Sequence, residues 1–207
     1  MTTVKNLNQK KIKDKDSVLI QAINSGRVEK FQDLVKRYEQ KLYNFSLRMC
    51  RDPGDAEDMV QDTFLNVFRY LKDFRYETKF KNWLYKVAAS TCIKQRRKSK
   101  FAPDRELSLD EFKANDEAEP PVQVPNWALM PLDQLLNEEL SETISSAILS
   151  LPKKYRLVMV LRDVEGFSTD ETAQILNLSP SNVKVRLHRA RLYLRDKLKG
   201  YFNNDEW

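Results

Sequence analysis

Apolar residues recur along the first hundred positions at intervals of three and four, the period of one face of an α-helix. From Val28 onward Phe31, Leu34, Val35, Tyr38, Leu42, Phe45 and Met49 keep this spacing for six turns, until Asp52-Pro53-Gly54 interrupts it. A second stripe takes Ala56, Met59, Val60, Thr63, Phe64, Val67 and Leu71. A third follows the loop over 73–81, with Phe80, Leu84, Val87, Ala88 and Thr91, and ends in the basic run Lys94-Gln95-Arg96-Arg97-Lys98. A short helix with Val18, Leu19, Ala22 and Ile23 opens the set. The period is lost over 99–135, where Pro103, Pro120, Pro121, Pro125 and Pro131 flank the acidic string Asp116-Glu117-Ala118-Glu119. Such a composition buries too little apolar surface to offset chain entropy, so a flexible linker is expected there. Trp127, Leu129 and Met130 are its exception, an apolar patch suited to docking on a partner or a neighbouring domain. The period returns at Leu136, with helices predicted over 141–151 and 153–162. The expected fold is all-α: a basic N-terminal tail (1–15), a helical domain (16–100), the linker (101–135), a second helical domain (136–200) and a C-terminal tail (201–207).

The densest pattern lies in the second domain. Gly166 ends a helix, and Ser168-Thr169-Asp170-Glu171 fits a capping box for the next. That short helix carries Ala173, Ile175 and Leu176. Asn177-Leu178-Ser179 makes a turn, with Leu178 plugging the core, and Ser179 caps a long helix with Pro180 at its first position. Projected at about 100° per residue, Val183, Leu187, Ala190, Leu194 and Leu198 fall on one side and face the core. Ser181, Val185 and His188 fall on the other, flanked by Lys184 and Arg189. Small or apolar groups can meet thymine methyls, and Arg or Lys can reach guanine edges in the major groove. Arg186, Arg191 and Arg195 are placed for phosphates. This is a helix-turn-helix with a recognition helix.

Charge sharpens the reading. Residues 1–100 hold 23 Lys and Arg against 12 Asp and Glu, a net of +11; residues 101–142 hold 2 against 11, a net of −9; residues 143–207 hold 11 against 7, a net of +4. Two basic blocks divided by an acidic one suit two polyanion-binding domains on a linker. Cys50 and Cys92 lie apart in helical patterns and read as ordinary thiols. With His188 the single histidine, a zinc site or a Ser–His–acid triad lacks its residues, and no cofactor is expected. No apolar run approaches the ~20 residues of a membrane span. Met1 to Lys15 is polar and basic, unlike a secretory signal, so a cytoplasmic location is expected.

Three stretches carry a family resemblance. Asp55-Ala56-Glu57-Asp58-Met59-Val60-Gln61-Asp62-Thr63-Phe64 resembles the polymerase-binding signature of bacterial extracytoplasmic-function (ECF) sigma factors. Phe80-Lys81-Asn82-Trp83-Leu84-Tyr85-Lys86-Val87-Ala88 resembles the segment that follows it. Asp163 to Ser168, continuing through Val183 to Arg191, resembles the promoter-binding end. They occur in the family's order and separation, over about residues 16–100 and 136–200. The resemblance implies a transcription-initiation factor, not an enzyme, which binds core RNA polymerase and directs promoter recognition, −10 melting and initiation for a specific regulon.

It also implies the partners and their contacts. Asp58, Gln61 and Asp62, on the flank of the second helix away from its apolar stripe, with Asn66, would grip a coiled-coil projection of the largest polymerase subunit. Phe74, Tyr76, Lys79, Lys81, Trp83, Lys86, Ser90, Arg96 and Arg97 would take the melted −10 element as a single strand with a base flipped out. Aromatic planes interleaved with cations, Arg75 among them, suit unstacked bases and backbone. Ser90 stands where the family often has Asn. The double-stranded −35 contacts map onto Lys184, Val185, His188 and Arg189, with Ser181, Arg186 and Arg191 in the same set. An anti-sigma factor is implied as a further partner, with no membrane insertion. A self-sufficient repressor or activator would need a dimerising or ligand-sensing domain, and the basic, aromatic N-terminal block has no pocket signature. A nucleic-acid enzyme would need a Gly-rich phosphate loop, a zinc motif or clustered metal-binding acids, and the sequence has none of these.

Overall fold

The computed structural model describes residues 12, 14–50, 52–98 and 138–203, with side chains over 12, 14–50, 52–94 and 142–199. The expectations for the first eleven residues, for the acidic linker with its Trp127 patch and for most of the C-terminal tail lie outside the described residues. All regular structure described is helical.

The first bundle holds α1 (Ser17–Asn24), a 3-10 turn (Val28–Lys30), α2 (Phe31–Met49), α3 (Pro53–Tyr70), a 3-10 turn (Leu71–Asp73) and α4 (Phe80–Lys98). The predicted stripes meet in its interior: Leu34, Tyr38, Leu42 and Phe45 of α2, Ala56, Met59 and Val67 of α3, and Phe80, Leu84 and Ala88 of α4 are all buried. The tripeptide that stops α2 also starts α3. The Asp52 carboxylate accepts the N–H groups of Gly54 at 2.8 Å and Asp55 at 3.1 Å, and Pro53 takes the first helical position, where its missing N–H costs nothing.

The second bundle holds α5 (Glu138–Ser150), α6 (Lys153–Met159) running into a π-helical turn (Val160–Val164), α7 (Thr169–Leu176) and α8 (Pro180–Asn203). The helix predicted over 153–162 thus widens at its end, where Glu165 N–H reaches back five residues to the Val160 carbonyl at 2.9 Å. Gly166 then turns the chain at φ +72°, a backbone state that favours glycine.

The two bundles pack together, α4 against α7 and α2 against α5 and α6. Cations of the second bundle hold carbonyls of the first. Arg156 donates to the last carbonyl of α2, Met49, at 2.9 Å, and to those of Leu151 at 2.9 Å and Leu149. Lys153 Nζ donates to the Cys92 carbonyl at 2.6 Å. A guanidinium beside orphan C-terminal carbonyls satisfies both their hydrogen bonding and the helix dipole. Burial pushes the Cys50 thiol up to about 11 and raises Cys92 as well, which favours the protonated thiol in both. Among the described residues no helix is long and apolar enough to cross a membrane.

Candidate nucleic-acid interface

On α3, Asp58, Gln61 and Asp62 are exposed. Of the three, Gln61 lines a groove between α2 and α3, where Phe31, Val60, Phe64, Leu65 and Phe68 alternate with charged residues such as Lys36, Glu39 and Glu57. Leu65 and Phe68 are among the exposed large apolar side chains, and Phe31 meets Phe68 edge-on with centroids 5.0 Å apart. Asn66 is placed differently. It is half-buried, with Nδ2 donating to Thr91 Oγ1 on α4 at 3.5 Å, so it serves the α3–α4 packing more than the acidic face.

The loop before α4 and the helix's first turns gather the aromatic and basic residues, in two environments. Phe74 is buried as the hub of a ring cluster, 4.8 Å from Tyr76, 5.3 Å from Trp83 and 5.9 Å from Phe80 between centroids. The sequence placed Phe74 among the strand-binding residues; the structure places it in the core, because three rings close over it. Trp83 is half-buried at the cluster's edge, where Arg75, Thr78, Asn82 and Lys86 line a cavity with it. Lys86 is exposed, Ser90 half-buried, and the side chains of Arg96 and Arg97 lie outside the described residues.

Lys79 and Lys81 face the second bundle. Lys79 Nζ lies 3.6 Å from the Glu171 carboxylate, which also accepts from Asn82 Nδ2 at 3.2 Å. Lys81 Nζ donates to the Glu165 carbonyl at 3.2 Å and sits 4.3 Å from the Phe167 ring centroid. Burial lowers its pKa, with Glu165 pulling the other way. The Tyr85 hydroxyl donates to the Glu165 carboxylate at 2.6 Å, and its ring meets Phe167 edge-on.

The helix-turn-helix is formed as its caps foretold. The Ser168–Glu171 capping box closes in both directions, at 2.9 and 3.1 Å, and the Ser168 backbone N–H is the main cause that lowers the Glu171 pKa. Asn177 ends α7 in the left-handed region at φ +53°, and Ser179 Oγ accepts the Asn182 N–H at 3.2 Å to open α8. Val183, Leu187, Ala190 and Leu194 are buried, Ser181 and Lys184 exposed, and Val185, His188 and Arg189 half-exposed.

Two residues of the expected promoter-contact set are elsewhere. Arg186 is fully buried, at 0% exposure. It stands three residues after Val183 and four before Ala190, so helical geometry turns it inward with the core stripe. Arg191, on the flank of that stripe, pairs with Asp163 of the π-helical turn: Nε to Oδ2 is 2.9 Å and the second nitrogen to Oδ1 is 2.8 Å. Asp163 takes its bidentate fork here.

Comparison with known proteins decides the family. The Sigma-70 region 2 model matches residues 34–101, and the Sigma-70 region 4 model matches 141–194. The ECF sigma factor SigW of Bacillus subtilis is 34% identical over 180 residues, which cover 87% of this chain and 95% of that one. The chain belongs to the ECF RNA polymerase sigma factors. The sigma-H factor of Pseudomonas aeruginosa is 28% identical, covering 86% of this chain and 91% of its own. The ECF sigma-E factor of Escherichia coli K12 is 29% identical, covering 89% and 94%. Among solved structures, CnrH in complex with the cytosolic domain of CnrY matches with a TM-score of 0.61 over 93% of this chain, at 24% identity. RpoE of Bartonella quintana with the anti-sigma factor NepR matches with a TM-score of 0.58 over 82%, at 23% identity.

As an ECF sigma factor the chain directs promoter recognition by RNA polymerase and is a transcription-initiation factor, not an enzyme. Match to region 2 displaces the reading of a self-sufficient repressor. Sequence reasoning missed the polar contact between the two bundles. Asn82, which donates to Glu171, entered only as part of a family-like stretch. Glu171 was read only as part of a cap and Glu165 only within the promoter-binding stretch, neither as a contact with the first bundle.

Proposed function

We propose that the sigma factor divides initiation among three faces. Asp58, Gln61 and Asp62 of α3 grip core polymerase. Tyr76, Trp83 and Lys86, with Lys79 and Lys81, take the non-paired −10 strand. Ser181, Lys184, Val185, His188 and Arg189 of α8 read the −35 duplex. The observation that carries the reading is the separation of chemistries: exposed Asp58, Gln61 and Asp62 on α3, against aromatic and cationic groups at the start of α4 and a polar, cationic outer face on α8. Opposite charge on neighbouring faces keeps a protein-binding surface from competing for DNA. Two structural relatives are solved with CnrY and with the anti-sigma factor NepR, which supports an anti-sigma partner here. The work of such a factor lies in the cytoplasm.

The test mixes the chain with core polymerase and asks for specific run-off transcripts. Asp62→Lys should lower retention on core polymerase in a pull-down with an unchanged circular dichroism spectrum. Retention at wild-type level would remove this face from the polymerase site.

A further inference from the structure

Helix α4 begins without a cap of its own. The residue before it is Lys79, whose side chain cannot accept a hydrogen bond, while the first N–H groups of a helix need acceptors. Phe80 N–H finds one 66 residues earlier, at Asp14 Oδ2, 2.6 Å away. The other oxygen holds that carboxylate in place: Asp14 Oδ1 accepts from Asp16 N–H at 3.0 Å and from the Ser17 hydroxyl at 3.1 Å. Arg37 and Tyr38 of α2 both reach Asp16, the Tyr38 hydroxyl at 2.6 Å, and so fasten the segment to the bundle.

A second bond lies just upstream. Ile12 N–H donates to the Tyr76 carbonyl at 2.8 Å. Tyr76 is the loop residue at φ +60°, a left-handed state that is unfavourable for a non-glycine residue and persists where its surroundings impose it. The chain entering α1 therefore ties down both the strained residue of the loop and the first turn of the helix that presents Lys81, Trp83 and Lys86.

We propose that residue 12 and residues 14–17 form a strap that positions the −10-reading loop, with Asp14 as its positioning residue. The inference rests on the assignment of −10 capture to this face. It gives the end of the basic tail a task in strand opening: Asp14 touches no DNA, and sets where Trp83 and Lys86 stand when the strand arrives.

The test uses the full chain assembled with core polymerase. Asp14→Ala should slow permanganate-detected melting roughly tenfold, the scale of a lost helix cap, while retention on core polymerase and closed-complex formation stay within about twofold. Asp14→Asn keeps one acceptor oxygen and should recover part of the rate. In the free chain, amide exchange should rise at residues 74–80 and stay unchanged in α2. Exchange that rises throughout the bundle in step with the lost melting makes Asp14 a general element of the fold and overturns the proposal. So does faster exchange at 74–80 with melting unaltered. Trp83→Ala separates the two readings. If it slows melting and Asp14→Ala does not, the strap alone fails. If neither Trp83→Ala nor Lys86→Ala slows melting, the −10 assignment fails and the proposal with it.

Discussion

Removing the Arg191 guanidinium separates two tasks that the sequence leaves open for it, neutralising a phosphate and holding Asp163. The pair is bidentate, at 2.9 and 2.8 Å, and its side chains are 16% and 17% exposed. A charge-assisted hydrogen bond is worth about 1.5–3 kcal/mol when shielded, and a solvated ion pair under ~1 kcal/mol. With mostly covered partners the coupling should be about 1–2 kcal/mol. It is read from a double-mutant cycle of Arg191→Ala, Asp163→Ala and the double variant, by urea unfolding followed by circular dichroism. The same variants, assembled with core polymerase, give closed-complex affinity on promoter duplex across salt concentrations. A phosphate contact would reduce the log–log salt slope by about 0.9 when lost. An arginine already committed to Asp163 should leave the slope of the double variant unchanged. A slope lower by about one, with a coupling near zero, would refute the pairing and return Arg191 to the DNA.

Arg186→Ala should lower the urea midpoint by an amount equivalent to about 2–4 kcal/mol, as for other large buried side chains; an unchanged midpoint with weaker DNA binding would contradict its burial. Glu171 has a lowered pKa, so its carboxylate stabilises fully above the ordinary value of 4.5 and loses that contribution as pH falls through the lowered one. Wild type should therefore exceed Glu171→Gln in stability by a margin that is constant near neutrality and closes below pH 4.5, and a margin independent of pH would show that the charge is idle. Arg189→Ala should relax −35 sequence preference at one or two positions by about 1–3 kcal/mol, measured on a duplex library; a uniform loss over all sequences would mean that α8 docks in another rotation.

The helices and their inward faces were legible because burial imposes a period, which the buried Leu34, Tyr38, Leu42 and Phe45 of α2 and Val183, Leu187, Ala190 and Leu194 of α8 keep, while Phe31, Val35, Val60 and Phe64 are only half-buried. Caps were equally legible: Asp52-Pro53-Gly54 and Ser168 to Glu171 act within three residues of themselves. Long-range partners were not. The acceptor for Phe80 N–H comes from Asp14, and Glu171, which faces both Lys79 and Asn82, comes from the other bundle, at separations no local pattern encodes. Arg186 marks a different failure. Its position i+3 from Val183 already placed it on the core face, and its charge outweighed its geometry in the reading. Phe74 shows the reverse, an aromatic residue in a polar loop that looked available until the rings of Tyr76, Phe80 and Trp83 closed around it.

The packing of α4 on α7 gives the molecule resident counterions. Glu171 stands beside Lys79 and Asn82, and both Glu165 and Glu171 act electrostatically on Lys81. In this arrangement a phosphate reaching these lysines exchanges with an anion already there, so the electrostatic gain is a difference between two pairings. A chain with a formal charge of +6 would otherwise attract any polyanion at this face. On the proposed assignment of this face to the −10 element, that exchange would favour a strand with unpaired bases to stack on Trp83 over a duplex that offers Lys79 and Lys81 charge alone.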